Sequence, residues 1–484
     1  MNNVVIEHRE NVHYTKSKNF RPSTRYPEYL FEEINLEKND VYDMVRECFH
    51  NAGYDKENYN SPSWNPLSTC IKPGDVVLIK PNMVMDVNVG GYGEECLYTQ
   101  PSVVAAVLDY VYIALKGKGT IVVGDAPMQE CNFVKLIEDS GYKSLIEWCK
   151  EKYEGVDVQL IDFRGVRSEV VNGVHVYYEN PQSSTTIDLG ADSEFSALTD
   201  KQMRNVRITN YDPDLLQSHH NKNKHEYIIS NYVLKADVII NMPKPKTHRN
   251  AGVTISLKNL VGINTRKEYL PHHTNGSIGE GGDEYLNKSI IKRIKAVCLD
   301  NTNREAQTKK NIMMARFWRF CTRCWSYASL LMDKDRYSEG SWYGNNTISK
   351  TILDLNKIVF YADKSGKMQN TKQRRYLIVA DMVISGEKEG PLLPTPKPLG
   401  IVAIGENPVT FDKTIATLMG ADISKIPTLA QLKSKKVKYV IGDNCDGVII
   451  SNDSDLNNKS LVELQRMTDF SFVPADGWKE SFNK

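Results

Sequence analysis

The chain has 484 residues, 40% hydrophobic and 25% charged, an ordinary globular composition with ample length for a large core. Its 61 lysines and arginines against 60 acids set up no global field for nucleic acid or an anionic membrane, so any preference for an anion is local. Nine cysteines at scattered spacings suit reduced thiols in a cytoplasmic protein. The apolar runs fall short of the ~20 residues a membrane span requires, and the first ten residues do not read as a secretory signal.

Residues 1–70 are polar, with one helical run near Asp40 to His50, and read as an N-terminal extension lying on the main body. From residue 71 a pattern recurs: short apolar, β-branched runs end abruptly in polar or glycine-containing sequence. Val76–Ile79 runs into Lys80-Pro-Asn82, and Thr120–Val123 into Gly124-Asp125. Ala236–Ile240 runs into Asn241, Tyr376–Ala380 into Asp381, and Gly400–Ile404 into Gly405. Runs of this kind suit strands buried on both faces. Helical candidates lie between them, at Ser102–Leu115, Phe133–Glu151 and Pro408–Met419. The expected fold is α/β, an open, mostly parallel sheet with helices on both faces.

Two segments break the pattern. Residues 166–224 read as polar hairpins and loops inside the first part of the core, residues 71–287. Residues 288–360 read as a helical, aromatic insertion capping the sheet, after which residues 361–484 supply the second part of the core and a tail. Within the insertion, Asn311–Met332 places Met314, Phe317, Trp318, Cys321 and Trp325 at helical spacing, with Arg316, Arg319 and Arg323 around them. Such a helix packs against its neighbours or lies on a membrane. Cys321 and Cys324 form the only CxxC pair, with no second pair to complete a zinc or cluster site.

In an open α/β sheet, ligands bind beyond the carboxyl ends of the strands, which is where the unusual polar clusters fall. The densest is Asn241–Arg249, where Lys244, Lys246, His248 and Arg249 follow a buried strand, stiffened by Pro243 and Pro245. A short helix starting near Thr254 and ending at Gly262 would add free N–H groups, Lys258 and Asn259. The expected guest is a phosphate or carboxylate, and the alternative is a solvated basic loop. Lys80 and Asn82 join the anion-binding candidates. Asp125 and Asp381, each after a buried strand, are expected either to cap helices or to hold Mg²⁺ or Mn²⁺; Glu387, Glu389 and Asp412 are weaker candidates. A glycine-rich loop carries His272 and His273, flexible enough to close over a substrate. His248 or His272 is the expected proton carrier. No Walker sequence, dinucleotide fingerprint or nucleophile elbow occurs, so no NAD or P-loop nucleotide site is expected.

Taken in order, Lys80-Pro-Asn82, Gly124-Asp125, the 236–242 strand, Lys246-Thr-His248, Lys258–Gly262 and the run from Gly405 to Asp412 resemble the domain of unknown function 362 family, from about Val76 to Pro427. The resemblance implies no particular reaction. Some of its members carry a ferredoxin-like iron–sulfur segment, for which this chain lacks the cysteines. The 288–360 insertion, with Gly340–Gly344, resembles a longer subgroup associated with surface-polysaccharide gene neighbourhoods. The expected function is therefore an enzyme acting on an anionic small molecule. The alternatives are a non-catalytic metabolite-binding or assembly protein, and a peripheral membrane protein acting on a lipid-linked sugar.

Overall fold

The apolar runs become the strands of one sheet in the computed structural model, which describes residues 2–432, 438–442 and 445–482. Ten strands belong to it among the described residues: β1 (Val4–His8), β2 (Val76–Pro81), β3 (Gly119–Asp125), β4 (Val156–Asp162), β5 (Val238–Met242), β6 (Lys246–His248), β7 (Gly252–Thr254), β8 (Arg375–Glu389), β9 (Leu393–Gly405) and β10 (Ile449–Ser451). Their order across the sheet is β10-β1-β9-β8-β5-β2-β3-β4. Neighbours from β8 to β4 are parallel. The fold is α/β with a mostly parallel sheet. β9 runs against both of its neighbours, β8 and β1.

The two-residue period of these strands sorts their side chains between two cores. Val77, Ile79, Ile121, Val123, Val238, Ile240, Leu377 and Val379 share one. Leu78, Val122, Ile239, Ile378 and Ala380 point into the other. Burial on both faces explains why the runs are continuously apolar, each such side chain contributing about 1.5–3 kcal/mol.

The first face is covered by α1 (Asp40–Asn51), α2 (Pro101–Leu115) and α3 (Tyr142–Lys152). A single turn, α4 (Ser256–Asn259), follows β7. α5 (Ile290–Gln307) and α6 (Ile312–Met332) form a helical hairpin, while α7 (Thr347–Tyr361) and α8 (Pro408–Leu418) cover the second face.

Two boundaries and one loop differ from expectation. Residues 1–70 are built into the core: β1 lies between β9 and β10, with Val5 opposite Ile404. The insertion is shorter than 288–360, because α7 is buried along its whole length against the sheet. The glycine-rich loop is packed. Asp283, itself buried, accepts from the Thr274 amide with one oxygen and from the amides of Asn346 (3.0 Å) and Thr347 (2.8 Å) with the other. The polar region near residue 166 does form a hairpin, Val166–Val171 with Val174–Glu179, turning on Asn172 and Gly173, both at positive φ.

Candidate functional site

A cavity of about 260 Å³ opens where the carboxyl ends of β2 and β3 meet the β6–β7 hairpin. Asn82, Asp125, Lys246, His248, Arg249, Lys258, Asn259 and His272 all line it, so eight of the sequence-derived candidates converge. Lys267, Glu130 and Glu339 line it too and had no signal in the sequence; each sits in an unremarkable polar stretch.

The cavity floor is a closed network. Lys80, fully buried at the end of β2, forms an ion pair with Asp125 at 2.8 Å. The second Asp125 oxygen accepts from the Met83 amide at 2.7 Å. Asn259 donates to the carbonyl of Lys80 (3.1 Å) and to Oδ1 of Asn241 (2.7 Å), fastening α4 to the strand ends. Arg164, buried and unforeseen, donates to the carbonyls of Met128 and Cys131, each at 2.8 Å, and so shapes the loop after β3. Gly262 passes directly over the ion pair: a Cβ there would lie 1.9 Å from Asp125 Oδ1 and 2.9 Å from Lys80 Nζ. Gly262→Ala is therefore expected to cost about 1–3 kcal/mol of stability by overpacking, measured by urea denaturation.

The walls carry three amines of unusual character. Lys246 Nζ donates to Asn82 Oδ1 at 2.7 Å and to the carbonyl of Leu97, both uncharged. Lys258 Nζ makes no ion pair or hydrogen bond among the described residues, and Lys267 Nζ reaches only the carbonyl of Val261, at 3.5 Å. Burial, followed by the neighbouring lysine Lys244, pushes Lys246 down to about 7. Burial with Lys80 nearby lowers Lys258 to about 8, and burial lowers Lys267 to about 7 even though Asp125 opposes the shift. Two acids of the cavity face a lysine, Asp125 with Lys80 and Glu339 with Lys295 at 3.4 Å, and Glu130 lies 3.1 Å from His175 Nδ1.

Both histidines are neutral, held so first by burial and then by charges around them that include Lys258. Their hydrogen bonds set opposite tautomers. His248 Nδ1 accepts from the amides of Asn250 (3.1 Å) and Ala251 (3.2 Å), leaving Nε2 with the proton. His272 Nδ1 donates to the carbonyl of Leu270 at 2.6 Å, leaving Nε2 as a free lone pair. The cavity thus holds one neutral proton donor and one neutral acceptor. His273 turns the other way, into a small neighbouring pocket with Glu284 and Lys295.

Other candidates are placed elsewhere. Lys244 and Asp381 form a wholly buried ion pair at 3.0 Å outside the cavity wall. Tyr14 donates to Asp381 and the Gln100 amide donates to its other oxygen, at 2.6 and 2.9 Å. Asp125 lines the cavity and Asp381 does not: each carboxylate faces its own ammonium, and among the described residues no cluster of three His, Cys, Asp or Glu is placed to hold a metal. Asp412 caps α4, accepting from the amides of Ser256 (2.9 Å) and Leu257 (3.0 Å). That cap takes up two of the helix-start N–H groups that the sequence offers to an anion. Glu387 and Glu389 accept from the amides of Val473 and Asp476 and pin the C-terminal segment.

Comparison with known proteins agrees with the motif order. The family described as "Domain of unknown function (DUF362)" matches residues 77–181 and 164–417, well over half the sequence. The chain belongs to the DUF362 family. A thylakoid-associated protein of Synechocystis is 27% identical to this DUF362 chain over 196 residues, 40% of the chain and 41% of the relative, so less than half of that relative is spanned. Among solved structures, the lactate racemase apoprotein from Thermoanaerobacterium thermosaccharolyticum is similar at 10% identity, over 75% of this chain and 51% of that one, with a TM-score of 0.26. No described helix of the DUF362 chain is long and apolar enough to cross a membrane.

Proposed function

We propose that the cavity binds a phosphorylated or carboxylated small molecule and that the protein acts on it as an enzyme, with His248 and His272 as the proton carriers. One observation carries the reading: Lys246, Lys258 and Lys267 face one cavity with no carboxylate partner among the described residues, while Asp125 and Glu339 of that cavity each pair with a lysine of their own and Glu130 lies against His175. Three buried amines without counter-charge cost free energy that a bound anion returns, through charge-assisted hydrogen bonds to each. Arg249, at the exposed rim, adds a planar donor fork. Asn82 and Asn259 hold the lysine-bearing segments in register. The volume suits a compact metabolite rather than a polymer.

The opposed tautomers support proton transfer: His248 Nε2 can give a proton to one atom of the guest while His272 Nε2 takes one from another. Calorimetric titration with inorganic phosphate, pyrophosphate and citrate tests the binding half. At least one of these is expected to bind, and Lys246→Met with Lys258→Met, which keep most of the apolar stem, to weaken it about a hundredfold or more. Affinity unchanged in the double variant would remove the anion site. The catalytic half is tested by incubating the protein with a metabolite extract. Consumption of an anionic compound that His272→Gln abolishes supports the enzyme, and binding without consumption supports a metabolite sensor.

A further inference from the structure

The helical hairpin presents a surface that the cavity does not use. Ala315 and Thr322 are the only buried side chains of α6. Ala315 packs with Val174 of the 166–179 hairpin and Ala306 of α5. The opposite side carries Met313, Phe317, Phe320, Tyr327 and Leu331, at steps of four, three, seven and four residues, which keep to one face of a 3.6-residue helix. These side chains stand in solvent: Met313 is 82% exposed, Phe320 66%, Tyr327 71% and Leu331 87%. Large apolar groups left contiguous and exposed mark a contact surface.

Charge says what kind of partner fits. From Ile312 to Met332 there is no Asp or Glu, while Arg316 and Arg323 are exposed beside the stripe; Lys310 precedes the helix, and Asp333 and Lys334 follow it. The helix is about 31 Å long at 1.5 Å per residue, and no described helix meets the length and apolarity of a membrane span. An aromatic stripe edged by arginines, without acids, complements the boundary between headgroups and acyl chains of an anionic bilayer. We propose that α6 docks this protein, lying flat, on an anionic lipid surface, with Phe317, Phe320 and Leu331 in the acyl boundary and Arg316 and Arg323 on lipid phosphates. The hairpin is tied to the cavity through Lys295 of α5, which pairs with Glu339 of its wall, so docking would hold the cavity at a fixed height above the membrane.

Flotation of the full chain tests this with vesicles of phosphatidylcholine alone and of phosphatidylcholine mixed with phosphatidylglycerol. The wild type is expected to float with the mixed vesicles about tenfold more than with the neutral ones. Phe317→Ser, Phe320→Ser and Leu331→Ser together, at exposed positions that leave the melting temperature unchanged, are expected to lower flotation about tenfold. Arg316→Ser with Arg323→Ser should lower it on the mixed vesicles only. A wild type that stays at the bottom of the gradient overturns the proposal, as does a triple variant that floats as well as the wild type. So does a lipid-free dimer, seen by light scattering, that the triple variant dissociates, because the stripe would then belong to a second copy of the chain.

Discussion

Asp381→Asn is expected to lower the unfolding free energy by about 3–5 kcal/mol, because it strands Lys244 as an unpaired charge in the interior. Both side chains of the pair are completely buried. Their remaining valences are met by Tyr14, which accepts from Lys244 at 2.6 Å, donates to Asp381 at 2.6 Å and accepts from the Ile384 amide at 3.2 Å. Three distant parts of the chain are joined there, so the loss should appear as a lower urea midpoint at unchanged slope. Asp381→Asn combined with Lys244→Met removes both charges and is expected to recover much of the loss, since replacing a whole buried pair costs far less than halving it. The same experiment separates scaffold from metal site. A structural ion pair gives the same loss with and without EDTA, whereas a metal ligand gives a loss that vanishes when divalent cations are removed from wild type and variant alike.

That pair shows where sequence reading reaches its limit. Asp125 and Asp381 both follow apolar strands and look equivalent in one dimension, as do Lys244 and Lys246 two residues apart. What separates them is Tyr14, more than two hundred residues away in the chain, and the strand β1 that brings its segment alongside β9. Val4–Ile6 gives only three apolar residues before Glu7 and His8, too short a run to announce a strand. The parallel strands β2, β3 and β5 were legible because burial on both faces demands an unbroken apolar run. β9 carries a similar run but pairs antiparallel, and nothing in its composition encodes direction. In the site, Lys246, His248 and Lys258 were found because charge clusters after a strand have few structural reasons to exist. Lys267 was missed because it stands in a turn, Lys267–Tyr269, among residues of mixed character, and reaches the cavity only through the path of the loop before it. The helix-start donors were misjudged for a tertiary reason: their cap, Asp412, comes from another helix.

The three wall amines make a pH signature expected to be large and unusual in sign. Lys246 and Lys267 lie near 7 and Lys258 near 8 in the folded protein, against about 10.4 for an unfolded lysine. Between those values the unfolded chain holds more protons than the folded one, so the ligand-free protein gains stability as pH rises from about 7 to 10 and loses it as pH falls through the folded values. Anion binding runs the other way. A guest that requires charged amines must raise their proton affinity, so binding takes up protons and weakens with pH. A lysine of pKa 7 is half charged at pH 7 and about one-hundredth charged at pH 9, which is a roughly fiftyfold loss of affinity for each such amine the guest requires. Calorimetry of phosphate or pyrophosphate binding in buffers of different ionisation enthalpy should therefore report net proton uptake near pH 8. Denaturation from pH 7 to 10 should show a rising stability that is flattened in Lys246→Met with Lys267→Met. The histidines cannot imitate this, because His272 lies near 3 and His248 well below its ordinary value, so both stay uncharged across the interval. Binding that neither takes up protons nor weakens above pH 8 would mean that the amines are already charged, and the guest would then be held by the arginine rim and the asparagines instead.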